Sequence, residues 1–162
     1  QYNLKKILKI DVNKKQVGSD RLANAISVIN NKDNFIILDF GTATTFDVVL
    51  KNRYKGGIIA PGVNLSLETL IEKARLIPNI KLTKIDDIIG KNTQNAVKSG
   101  FYWGYQGLIE NIINLIEKNN KKNFKIIFTG GLSHLYKNTI KKKIQIDKDL
   151  TIKGLLKLTN FI

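Results

Sequence analysis

Residues 35–49, FIILDFGTATTFDVV, set four apolar side chains before Asp39 and three more, Phe46, Val48 and Val49, after a short segment of glycine and threonine. Apolar runs of this length, rich in β-branched and aromatic residues and broken by a glycine turn, read as two strands with a tight connection. A buried strand has no packing use for an aspartate at its end, so the turn is where chemistry is to be sought. Gly41 allows a ligand to approach the backbone. Hydroxyls at Thr42, Thr44 and Thr45, with main-chain N–H groups, can cradle phosphate while Asp39 meets a cation. A plain hairpin whose threonines simply suit strands has the same spacing, and the motif alone leaves both readings open.

Outward from this pair, a third strand is expected from Tyr54 to Ala60, which makes an antiparallel meander. Upstream, Ser19 to Asn30 reads as a helix with Leu22, Ala23, Ala25, Ile26 and Ile29 on its apolar face and Ser19 as its cap. Downstream, a short helix is expected near Leu65 to Ala74 and a long one from about Asn92 to Lys118. KIIFTGGL at 125–132 reads as a buried strand ending in a glycine turn, and two short helical patterns follow, the last from about Thr151 to Phe161. The order is that of an α/β layered domain. A three-stranded meander followed by alternating helices and strands resembles one half of the ribonuclease H-like fold of actin and sugar kinases.

At 162 residues the chain is one domain or part of one. The absence of cysteine excludes disulfides and thiolate metal sites, and a single histidine, His134, excludes a His-rich metal site or a His-based triad. There is no methionine and the chain opens at Gln1, so a segment is expected to be missing from its N-terminal side. No apolar run approaches the roughly 20 residues that span a bilayer, and the expectation is a cytoplasmic protein without a membrane partner. Lys and Arg number 27 against 13 Asp and Glu, a net charge of +14. Nearly all of this is lysine, and runs such as Lys121-Lys122 and Lys141-Lys142-Lys143 fall at loops or helix ends. They read as solvated faces, and no nucleic-acid partner is expected.

Neither a G-x-x-x-x-G-K-[ST] phosphate loop nor a G-x-G-x-x-G fingerprint is present. Paired glycines at 130 and 131, after a strand, can let an adenosine lie against bare backbone; an ordinary turn before a helix is the alternative. In VGSDRLANA, Asp20 and Arg21 occupy the first turn of a helix. The carboxylate can act as a general base and the arginine can orient an anionic substrate, although an acid is also favoured there by the helix dipole. Gly100, Gly104 and Gly107 form a small-residue stripe on the long helix, open to close approach within the subunit or across a dimer.

The strings GSDR at 18–21, DFGTATTFDVV at 39–49, GGIIAPG at 56–62, IGKNTQNAVKSGFYWGY at 89–105 and TGGL at 129–132 stand in the order and spacing of the type III pantothenate kinases. From Val17 onward the chain resembles that family. The resemblance implies ATP-dependent phosphorylation of pantothenate to 4'-phosphopantothenate, the first step of coenzyme A biosynthesis. It further implies a homodimer of the actin-like superfamily that needs a monovalent cation, potassium or ammonium, with Mg²⁺ arriving on ATP.

By the same resemblance Asp20 is the proton acceptor, and Gly18, Ser19, Asp20, Arg21 and Thr93 contact pantothenate. Asp39 is the ligand of the monovalent cation, Gly41 and Thr42 meet ATP, and Gly130 and Gly131 lie on the adenosine side. Asp47 is expected to be structural. Family members open with an Asp-x-Gly-Asn-Thr strand turn that nothing here matches. Residues 1–162 are therefore expected to be the C-terminal part of such an enzyme, the half with the base and cation site and without the N-terminal phosphate-binding domain. That fragment alone is expected to be inactive. A regulatory or binding protein on the same scaffold, or a basic nucleic-acid module, are the alternatives; Asp20, Arg21, Asp39, Thr42 and Thr93 occurring together favour the kinase.

Overall fold

The opening stretch forms a hairpin, β2 (Asn34–Phe40) and β3 (Ala43–Leu50), and β4 (Arg53–Pro61) continues it as an antiparallel meander. The computed structural model describes residues 7–159. Around the meander, in chain order, come β1 (Lys9–Ile10), α1 (Ser19–Val28), α2 (Val63–Lys73), α3 (Thr93–Asn120), β5 (Lys125–Gly130), α4 (Ser133–Tyr136), β6 (Ile144–Ile146) and α5 (Leu150–Thr159). The six strands form one sheet in the order β1-β4-β3-β2-β5-β6. β5 runs parallel to β2, β6 parallel to β5, and β1 parallel to β4 at the other edge. This is the α/β ribonuclease H-like arrangement expected from the sequence.

The differences are local. Helix α1 stops at Val28, not Asn30, because the Asn30 side chain accepts from the backbone N–H groups of Lys32 and Asp33 and Asn31 turns to a φ of 61°. Gly18, not Ser19, is the N-cap residue of α1, and no side chain caps that end. Asn92 caps α3 by accepting from the backbone N–H of Asn95 at 2.8 Å, and the helix runs to Asn120 before Lys121 turns left-handed. The second of the two short helices expected after β5 is α5, while Ile144–Ile146 between them is a strand. The expected end of the last helix at Phe161 lies outside the described residues.

Strand alternation sorts the side chains onto two faces. Ile36, Leu38, Phe40, Phe46, Val48 and Phe128 pack on Tyr102, Ile109, Ile113 and Ile116 of α3. Phe35, Ile37, Val49, Tyr54 and Ile127 pack on Leu22, Ala25 and Ile26 of α1 and Leu150 of α5. Burying each such side chain contributes about 1.5–3 kcal/mol, so both faces hold the sheet firmly. On the α3 face Phe40 meets Phe128 edge-on at 5.1 Å and stacks on Tyr136 at 5.6 Å. A side chain added at Gly100, Gly104 or Gly107 would meet nothing within 4 Å, so no described part of this chain uses the close approach that the stripe permits.

Candidate active site

The polar residues of the motifs gather on the α1 face, at the carboxyl end of β2, where ligands bind in open sheets of this kind. Asp39 is the fifth of six consecutive β2 residues, Phe35 to Phe40, that pair with β5, and its register partners are Thr45 on β3 and Thr129 on β5. All three lie on the α1 side of the sheet. Thr44, with Phe46 and Val48, belongs to the α3 side, so strand alternation removes it from the cluster of hydroxyls that the sequence suggested. The Thr45 hydroxyl is buried and has no hydrogen-bond partner.

Asp39 is half-buried. Its Oδ2 accepts a hydrogen bond from Asn24 Nδ2 at 3.1 Å. Its Oδ1 faces Gly130, whose φ of 83° suits glycine and where an added Cβ would sit 2.7 Å from that oxygen. Gly41, in the turn between β2 and β3, lies on the same side, its own added Cβ 4.0 Å from Oδ1. Burial pushes the Asp39 carboxyl above the usual carboxylate range, the Asn24 hydrogen bond pulls it down, and the charge of Asp20 adds to the rise. No Lys, Arg or His among the described residues forms an ion pair with it.

Asp20 projects from the exposed first turn of α1, and its carboxylate folds back over Gly18, where a Cβ would collide with it. Its neighbour Arg21 turns the other way. The Arg21 Nε donates to Asp47 Oδ1 at 2.8 Å, with one terminal nitrogen 2.7 Å from the same oxygen, and the Tyr54 hydroxyl donates to it at 2.6 Å. Burial pushes Asp47 up, against the bonds from Arg21 and Tyr54. For Arg21, burial works against the charge, and the bond to Asp47 together with the neighbouring acidic charges outweighs it, so the guanidinium is held above its ordinary value.

The structure thus brings Asp20, Gly41 and Gly130 near Asp39, with Thr42 following in the exposed hairpin turn and Arg21 committed to Asp47. Gly18 and Ser19 are exposed at the start of α1, and Gly131 is exposed beyond β5. Thr93 is exposed at the first position of α3, whose core residues pack on the opposite face. Sequence reading missed Asn24 and Thr129. Asn24 carries a signal, since it stands four residues after Asp20 and so on the same helix face; Thr129 carries none without the parallel register.

A family profile, type III pantothenate kinase, matches residues 2–115. The chain belongs to the type III pantothenate kinase family. It is 66% identical over its whole length to the type III pantothenate kinase of Pelagibacter ubique (strain HTCC1062), of which it covers 65%. It is 45% identical over 142 residues to that of Cereibacter sphaeroides (strain ATCC 17029 / ATH 2.4.9), matching 86% of this chain and 55% of the relative. The chain therefore spans less than two thirds of the length of these relatives. Among solved structures, a conserved candidate transcriptional activator of the Baf family from Campylobacter jejuni superposes with a TM-score of 0.70 over 97% of this chain and 70% of its own, at 23% identity, a likeness of fold. No helix among the described residues is long and apolar enough to cross a membrane.

Proposed function

We propose that this chain carries the base and cation-site half of a pantothenate kinase, which transfers the γ-phosphoryl group of ATP to the hydroxyl of pantothenate. One observation carries the reading: Asp39 is a half-buried carboxylate at a strand end with a neutral amide on one oxygen, another carboxylate nearby and no cationic partner among the described residues. A carboxylate withdrawn from water is costly unless a positive charge joins it. Among the described residues Oδ1 is the oxygen without a hydrogen-bond partner, and it lies against the bare backbone of Gly130, where a side chain would collide with it. The donor set of one carboxylate and neighbouring oxygens suits a hard monovalent cation such as potassium or ammonium. Among the described residues no three His, Cys or acidic side chains converge, which fits Mg²⁺ held chiefly by the nucleotide.

In this reading the cation, when bound, neutralises charge beside the phosphates. Asp20, exposed at the helix start, accepts the proton of the pantothenate hydroxyl as its oxygen attacks the γ-phosphorus and ADP leaves. Gly18, Ser19 and Arg21 contribute to pantothenate binding with Thr93, Arg21 from the position in which Asp47 holds it. Thr42 and Gly41 meet the phosphates, and Gly130 and Gly131 the adenosine side. Phosphoryl transfer needs mainly positioning and charge stabilisation, and these groups supply a base, a cation ligand and backbone donors. The reading includes a homodimer, for which the open glycine stripe of α3 offers a face, and a cytoplasmic enzyme with no nucleic-acid or membrane partner.

The experiment is Asp20→Asn in the complete protein, with turnover followed by ADP release and ATP affinity by calorimetry. Loss of ~10²–10⁴-fold in turnover with ATP affinity retained is expected for removal of a general base. Turnover near wild type would overturn the assignment.

A further inference from the structure

We infer that Asn24 and Thr151 form a positioning pair that sets the Asp39 carboxylate for its cation, an inference resting on the cation reading of Asp39 given above. Asn24 is fully buried in α1. Its Nδ2 donates to Asp39 Oδ2 at 3.1 Å, and its Oδ1 accepts from the Thr151 hydroxyl of α5 at 2.7 Å. A buried amide can stand in either of two orientations, and its partners decide which. With the Thr151 hydroxyl donating to the amide oxygen, the amide N–H group faces Asp39. The reversed orientation would press an amide oxygen against a carboxylate oxygen, two acceptors with no proton between them.

The contact between the helices makes this arrangement stiff. Gly154 follows Thr151 by one turn on the same face of α5, and a Cβ there would collide with the backbone of Ala23, the residue before Asn24. The two helices therefore touch backbone to backbone one turn from Thr151, which holds Thr151 close to Asn24. The consequence falls on Asp39. Its Oδ2 is occupied, and Oδ1 is the oxygen left beside Gly130 for a cation. Neither Asn24 nor Thr151 touches a reacting atom; both act through Asp39. The hydroxyl of an exposed-surface helix thereby reaches the site through one buried amide.

The test uses Thr151→Val, which removes the hydroxyl and keeps the shape, and Thr151→Ser, which keeps the hydroxyl, both in the complete protein. Two quantities are measured: the rise in melting temperature when KCl replaces NaCl at constant ionic strength, and the KCl concentration that half-saturates the gain in ATP affinity. Thr151→Val is expected to raise the half-saturating potassium roughly three- to tenfold, the loss of about one hydrogen bond, and to shrink the potassium-specific thermal shift. Thr151→Ser is expected to restore both. A Thr151→Val protein that melts lower in NaCl yet keeps the wild-type potassium response would overturn the inference and leave only a tie between helices. So would a serine variant that behaves like the valine one. A wild-type protein indifferent to potassium in both measurements would overturn the cation reading of Asp39, and this inference with it.

Discussion

Asp39 and Asp47 point to the same face of the sheet from adjacent strands, two residues apart in register, since Ile37 pairs with Asp47 and Asp39 with Thr45. Around Asp47 the chain supplies its own counter-charge: Arg21 and Tyr54 both donate to it, and its side chain is fully buried. Around Asp39 the chain supplies a neutral amide, two bare glycines and a second acid. The same side chain is closed off in one place and, among the described residues, left one charge short in the other. A completed carboxylate holds structure; an uncompensated one at a strand end invites an ion from outside.

The largest expected effect follows from breaking the completed member. Asp47→Ala leaves the Arg21 guanidinium buried without its partner, and removing one member of a buried pair costs about 3–5 kcal/mol. Asp39→Asn, by contrast, removes a charge that has no counter-charge among the described residues, and is expected to change stability by less than about 1 kcal/mol. Urea denaturation of the two variants side by side checks this. Equal losses would erase the distinction between the two sites.

Gly130→Ala sharpens the other side of the comparison. A non-glycine residue at this φ costs about 1–3 kcal/mol, and the new methyl collides with Asp39 Oδ1 and with the backbone of Phe40. Both a lower urea midpoint and a lost potassium response are expected. Retention of the potassium response in a folded variant would show that the ion does not use that oxygen.

The smallest effect concerns a third aspartate. Asp11 has two cationic partners, Arg53 at 2.8 Å and Lys55 at 2.6 Å, but these are well exposed, with Arg53 at 49% and Lys55 at 38%. Exposed pairs are worth about 0.2–1 kcal/mol, and Asp11→Asn is expected to cost no more than that at neutral pH. Hydrogen bonds from Lys55 and then Arg53 hold the Asp11 carboxyl below its ordinary value. Its contribution is therefore present above the ordinary carboxylate pKa of about 4 and is lost as pH falls through the lowered value. Denaturation curves of variant and wild type should converge in acid. A persistent gap there would assign the effect to something other than charge.

Much of this was legible in the residues. The meander announced itself because β2 and β3 carry long apolar runs on either side of a two-residue glycine turn, and α3 because its apolar spacing persists from Ala96 to Ile116. The edge strands β1 and β6 were not, because they are two and three residues long and owe their existence to neighbours already in place. At the site, Asp20 and Asp39 stood out as acids at the ends of recognisable elements. The destination of Arg21 did not, since its partner lies 26 residues away and only the sheet brings Asp47 beneath the start of α1. Thr44 and Thr45 looked equivalent as a pair, yet one residue of phase sends them to opposite faces. Asn24 was legible only as a helix-face neighbour of Asp20, and its two buried partners, Asp39 and Thr151, come from elsewhere in the chain.

The pairing of β2 with β5 has a consequence in time as well as in space. Phe35 meets Lys125 across ninety residues of chain, whereas β2, β3 and β4 meet through turns of two residues. Closing a long loop costs more entropy than closing a hairpin, so the meander can assemble early while β5 docks late. Gly130 rides on the late strand. The backbone beside Asp39 thus comes into place only when the sheet's longest-range pairing is made, and an ion that prefers this site would act as a latch on the finished fold, slowing its opening more than it hastens its assembly.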